Sequence, residues 1–134
     1  MKQLLTILLI GFATAAVSQE KINYLAPPPS PEASFTQQLG TGEVKVNYSR
    51  PLARGRKILG GLVPFDSLWR TGASGASTIE FTEEMKMGDK TLKAGKYALF
   101  TIPGQKEWTI VVNADTTLHG TTGYDNRKDL HRFK

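Results

Sequence analysis

Apolar and polar residues alternate along much of this chain. From Glu43 to Ser49, Val44, Val46 and Tyr48 fall on one side while Glu43, Lys45, Asn47 and Ser49 fall on the other. That period of two is the signature of a half-buried antiparallel strand. Ser77 to Thr82 repeats it with Ile79 and Phe81 inward. Met85 and Met87 carry the rhythm to a Gly88-Asp89-Lys90 turn, and Thr91-Leu92 completes a predicted hairpin. Lys96 to Ile102 is apolar on both sides, as expected of a central strand covered on both faces. Phe35 to Leu39 and Trp108 to Asn113 add further strands, and Asp129 to Lys134 opens one that stops in mid-pattern. Turn residues separate these segments, and no stretch of useful length has the helical period. The pattern predicts an all-β fold, an antiparallel β-sandwich or jelly-roll-like barrel. Its last strand is either frayed, or the sheet lacks its C-terminal strands.

One connection interrupts the alternation. Tyr48 to Ala76 holds Arg50, Arg54, Arg56 and Arg70, together with Trp69 and five glycines, and Asp66 is its one acidic residue. Connections in compact domains are usually a few residues long unless they carry function. Ile58-Leu59 and Leu62-Val63 are apolar anchors within it, so it reads as a strap pinned to the body. A guanidinium forks onto carboxylate or phosphate and stacks on an indole, which makes Arg50, Arg56, Trp69 and Arg70 the candidate ligand-binding set. The plainer account is that these arginines tie the strap down through backbone carbonyls, Asp66 or Glu80, with Trp69 as a core plug.

The N-terminus changes the setting. Lys2 precedes an apolar run from Leu4 to Phe12 and then small residues from Ala13 to Ser18, the layout of a secretory signal peptide. The run falls short of the ~20 residues that span a bilayer. Cleavage after Ser18 is preferred, with Ala15 and Ala16 as rival sites, and the chain is expected to be exported to the periplasm or beyond. Residues 19–32 include Pro27-Pro28-Pro29-Ser30-Pro31, an extended arm, and residues 33–134 form the folded domain. The chain has no cysteine, so packing alone must hold an exported fold. The formal charge of +5 is mild and spread out apart from the strap, which argues against nucleic acid and leaves a small anion, an acidic glycan or an envelope protein as partner. Asn47-Tyr48-Ser49 also fits a glycosylation sequon.

Catalytic patterns are incomplete. Gly72-Ala73-Ser74-Gly75-Ala76 approaches a nucleophile elbow but has alanine where the last glycine belongs, and the histidines, His119 and His131, lie in the tail. Asp115, Asp125 and Asp129 sit in a late Asp/Asn-rich region that invites calcium, yet no Asp-x-Asp-x-Asp-Gly ladder exists. Phosphate-cradling glycine motifs are absent. Glu80, Glu83, Glu84 and Glu107 offer carboxylates without selecting a pair. No catalytic residue, metal or cofactor is assigned. The reading leans to a non-enzymatic binding domain, with a cell-envelope hydrolase of glycan or peptide and a purely structural or interaction module as rivals.

The blocks Tyr48-Ser49-Arg50-Pro51, Gly55-Arg56, Val63-Pro64, Trp69-Arg70-Thr71-Gly72-Ala73, Ala94-Gly95-Lys96-Tyr97, Leu99-Phe100 and Ile102-Pro103 follow in that order along the chain. Together they resemble the DUF2911 family. The resemblance covers about residues 30 to 132. It implies an exported protein of the kind found mostly in Bacteroidetes, and it supplies no reaction. The chain departs from the family pattern at Ser74, where Asn is usual, and at Leu118-His119, where the family usually has Trp before the glycine. Family members also run on past the position of Lys134.

Overall fold

A computed structural model describes residues 28–134; the expected leader and residues 19–27 of the arm lie outside the described residues. Eight strands follow in order: β1 Glu32–Leu39, β2 Gly42–Ser49, β3 Ser77–Phe81, β4 Met85–Met87, β5 Lys90–Leu92, β6 Gly95–Pro103, β7 Trp108–Asn113 and β8 Asp129–Phe133. A short 3-10 turn, Asn126–Lys128, leads into β8. Six strands form one sheet in the order β1-β2-β3-β6-β7-β8, and β4 pairs with β5 in a separate hairpin. Every strand pair is antiparallel. The all-β expectation therefore holds. The jelly-roll-like barrel does not, because the large sheet stays open with β1 and β8 as its edges.

The alternation in sequence explains which residues each face buries. On one face Val44, Ile79, Phe81 and Val112 pack with Leu92 of the hairpin, and Met85, Met87, Tyr97 and Leu99 close around them. The hairpin root sits tight on β2, since a methyl at Gly42 would lie 2.7 Å from Met85 Cε. On the other face Ala98, Phe100 and Val111 are covered by Leu68 and Ala76 of the strap and by Leu118 and Tyr124 of the late loop. Phe100 and Val111 are fully buried, each contributing roughly 1.5–3 kcal/mol of burial. β6 is apolar on both sides because it lies between two covers.

The strap takes up part of a strand position. Trp69 N–H donates to the Thr101 carbonyl at 2.7 Å and Thr101 N–H donates back to Trp69 at 2.9 Å. Asp66 N–H donates to Pro103 O at 2.8 Å. These bonds prolong the β3 position along the end of β6, where β3 itself has not yet begun. The chain then loops out through residues 70–76 and returns, with Ser77 N–H donating to the Arg70 carbonyl at 3.3 Å.

Candidate functional site

The strap covers only the β6–β7 half of its face. Across the other half the register lines up Ser34 with Asn47, Asn47 with Thr78, and Thr78 with Ala98. Three polar side chains thus stand in a row before the first apolar one. Above this row lies an open cavity of about 500 Å³, its lining including Glu32, Ser34, Asn47, Ser49, Thr78 and Lys96, with Gly75, Ala76 and Thr116 as part of its wall. Both ends of the strap border it, at Ser49 and at Gly75-Ala76.

The hydrogen-bonding capacity of this lining is unspent. Among the described residues, the side chains of Glu32, Ser34, Asn47, Ser49, Thr78, Lys96 and Thr116 make no hydrogen bond or ion pair. Thr78 is buried as a residue, but its hydroxyl is not an enclosed unpaired atom and faces the open space of the cavity. One carboxylate and one ammonium leave the lining with no net charge.

A second hollow, of about 570 Å³ around Tyr124, Asp125, Arg127 and Arg132, is the opposite case. Asp129 accepts from Tyr124 Oη at 2.8 and 2.7 Å, from Asn113 Nδ2 at 2.7 Å and from Arg132 Nε at 2.7 Å. Burial and the neighbouring Asp129 carboxylate push the Tyr124 phenol above its ordinary value. Arg127 forks onto Asp125 at 2.9 and 2.7 Å and holds its carboxyl down at about 2. Lys128, with help from Thr117, does the same for Asp115. These groups satisfy one another, so the network serves to anchor β8. Asp115, Asp125 and Asp129, which the sequence offered as calcium ligands, each go to separate cations and do not converge. Among the described residues no cluster of three His, Cys, Asp or Glu is placed to hold a metal.

None of the predicted set Arg50, Arg56, Trp69 and Arg70 lines either hollow. Arg56 folds back on its own loop, donating from Nε to Ala53 O at 3.0 Å and from Nη2 to Leu52 O at 2.9 Å. Arg50 is exposed, its backbone N–H donating to Pro31 O at 2.9 Å. Trp69 meets Trp108 edge-on, with ring centroids 6.2 Å apart. Arg70 Nε is buried without a partner, and its guanidinium lies against Gly120. Neither Asp66 nor Glu80 takes an arginine among the described residues.

Ser74 and His119 come close, through backbone only. Gly75 bridges to His119 and Gly120 N–H donates to Ser74 O at 3.1 Å. The other histidine, His131, is buried far off, stacked on Phe133 and 3.7 Å from Asp89. No serine–histidine–carboxylate relay forms among the described residues.

A family model described as a protein of unknown function, DUF2911, matches residues 30–134. The chain belongs to the DUF2911 family. That match spans both the strap and the cavity, so all parts of the candidate site fall within the DUF2911 region. No curated protein and no solved structure matches the chain. Sequence reasoning missed Ser34, Thr78, Lys96 and Thr116. The available signal was the polar side of each strand, but only the register brings those sides together.

Proposed function

We propose that this DUF2911 protein is an exported, non-enzymatic binding domain whose ligand sits in the cavity at the root of the strap. The supporting observation is the unspent polar lining. The row Ser34–Asn47–Thr78, flanked by Glu32 and Lys96, offers hydroxyls, an amide, an acceptor and a donor to whatever enters. Hydroxyls and amides that both donate and accept, in a lining of no net charge, suit a neutral polyhydroxylated ligand such as a sugar unit. The volume falls in the usual range of about 300–1,000 Å³ for small-ligand sites.

Calorimetric titration with neutral mono- and disaccharides tests this. Thr78→Val and Asn47→Leu should each weaken any binding about tenfold, by about 1.4 kcal/mol, while melting within a few degrees of the native protein. Binding that survives both substitutions, or an absence of neutral-sugar binding, removes this reading.

A second reading keeps the anion predicted from the sequence and narrows it to Arg70. Its support is the buried Nε that no group among the described residues accepts from.

A further inference from the structure

The two edges of the large sheet are built differently. β8 is five residues long, its pairing with β7 is broken by a shift at Val112/Asn113, and it carries Asp129 and Arg132. Short length, irregularity and charge are the devices that keep an edge from recruiting another strand. β1 has neither the shortness nor the irregularity, and little charge. It is eight residues long and pairs with β2 without a break from Glu32↔Ser49 to Leu39↔Gly42. It contains no proline, and Glu32 is its single charge. Phe35 and Leu39, on the hairpin side, are 52% and 50% exposed.

We propose that β1 is an interaction edge and that its partner is a second copy of the same chain, paired antiparallel across a two-fold axis. The strand matches its own reverse. Gln37 Nε2 donates to the Gln38 carbonyl at 3.0 Å, which marks that carbonyl as turned away from β2. Alternation then gives Glu32, Ser34 and Thr36 the same outward row of backbone donors and acceptors. With Phe35 set opposite Phe35 of the second copy, Ser34 meets Thr36 and Glu32 meets Gln38. Hydroxyl faces hydroxyl, the carboxylate faces an amide, and no like charges oppose.

The two Phe35 rings fall at a site without backbone hydrogen bonds, where cross-strand side chains lie closest. Each ring also lies beside Val46, its register partner within the same copy. The joined sheets run on as twelve strands with β8 at both ends, so the unguarded edges disappear and the guarded ones remain. Glu32 and Ser34 also line the cavity, which puts the two cavities on either side of the joint. Glu32 and Ser34 are thus shared by joint and cavity, but the association can be tested with no ligand present.

Sedimentation equilibrium of the purified chain over a wide concentration range tests the pairing. A reversible monomer–dimer equilibrium is expected. Phe35→Lys and, separately, Thr36→Lys should each weaken the dimer about tenfold or more by placing lysines at the joint. Both side chains are exposed, so circular dichroism and melting should show the fold intact. Thr78→Val, inside the cavity, should leave the dimer constant unchanged. A chain that stays monomeric throughout overturns the proposal. So does a dimer indifferent to both lysines, which would be held by another surface. A monomer that captures an unrelated extended peptide along β1 also overturns it, since the partner would not be a second copy.

Discussion

Arg70 holds a buried donor with no acceptor among the described residues. This is its Nε, while its Nη1 lies against Gly120, and an unsatisfied buried donor costs roughly 1–3 kcal/mol. Arg70→Met keeps the apolar stem and removes that donor. In phosphate-free buffer the variant is expected to be more stable than the native chain by about 1 kcal/mol, measured by chemical denaturation. If an anion completes the guanidinium, added phosphate should raise the melting temperature of the native chain and leave Arg70→Met unmoved. Indifference to phosphate in both proteins removes the anion reading. The same loop concentrates backbone strain. Arg54, Asp66, Thr71 and Ser74, all strap residues, have positive φ, and for a β-branched residue such as Thr71 this is a true outlier. Thr71 is held there by its hydroxyl, which lies 3.0 Å from Thr101 Oγ1, and by Ser77 Oγ, which donates to its carbonyl at 2.8 Å. Ser74, where the family pattern usually has Asn, adopts the conformation Asn tolerates best. It also neighbours Leu118-His119, the other departure, across the Gly75–His119 bridge.

At the scale of elements, β8 depends on charge. Asp115 bonds Lys128 at 2.6 Å and Asp125 bonds Arg127, both cations lying within the turn that feeds β8. Both carboxyls ionise at about 2 against an ordinary 3.8. A depressed folded-state value stabilises the fold above the unfolded value and is lost as protons bind. Acidification from about pH 4 to about pH 2 should therefore loosen β8 and the preceding turn first. Amide exchange in β8 should accelerate in that window ahead of β6. Asp115→Asn and Asp125→Asn should flatten the dependence, and uniform acceleration along the sheet would count against it. The strands themselves were legible in the sequence. The alternation in Glu43–Ser49 and Ser77–Thr82, the two-sided run in β6 and the Met85/Met87 rhythm each match an observed strand, with ends shifted by one residue or so. Phe35–Leu39 showed only part of β1, because Glu32 read as the end of the proline arm and the first residues of the domain showed no alternation. The arginines drew attention through composition, which does not say where a guanidinium points. Arg56 satisfies itself with carbonyls four residues away or nearer. The cavity was hidden for a different reason. Ser34, Asn47 and Thr78 are far apart along the chain and meet only through strand register, a long-range property.

The whole molecule is one sheet with two unlike covers. The hairpin closes one face through Leu92, and the strap with the late loop closes the other over Phe100. β6 contributes to both, sending Tyr97 and Leu99 one way and Ala98 and Phe100 the other. With no disulfide, the two apolar clusters carry the stability, and whether they act as one core or two is an energetic question. Their side chains lie on opposite faces and share no contact residues, so substitutions in them should add. Leu92→Ala is expected to cost about 2–5 kcal/mol and Phe100→Leu about 1–3 kcal/mol, read from urea unfolding. The double variant should cost their sum to within about 0.5 kcal/mol. A coupling well above that would mean the sheet transmits strain between its faces, and that the strap cannot shift on its face without disturbing the hairpin. Additivity would leave the strap face, and the cavity at its root, free to adjust to a ligand while the hairpin face holds the sheet together.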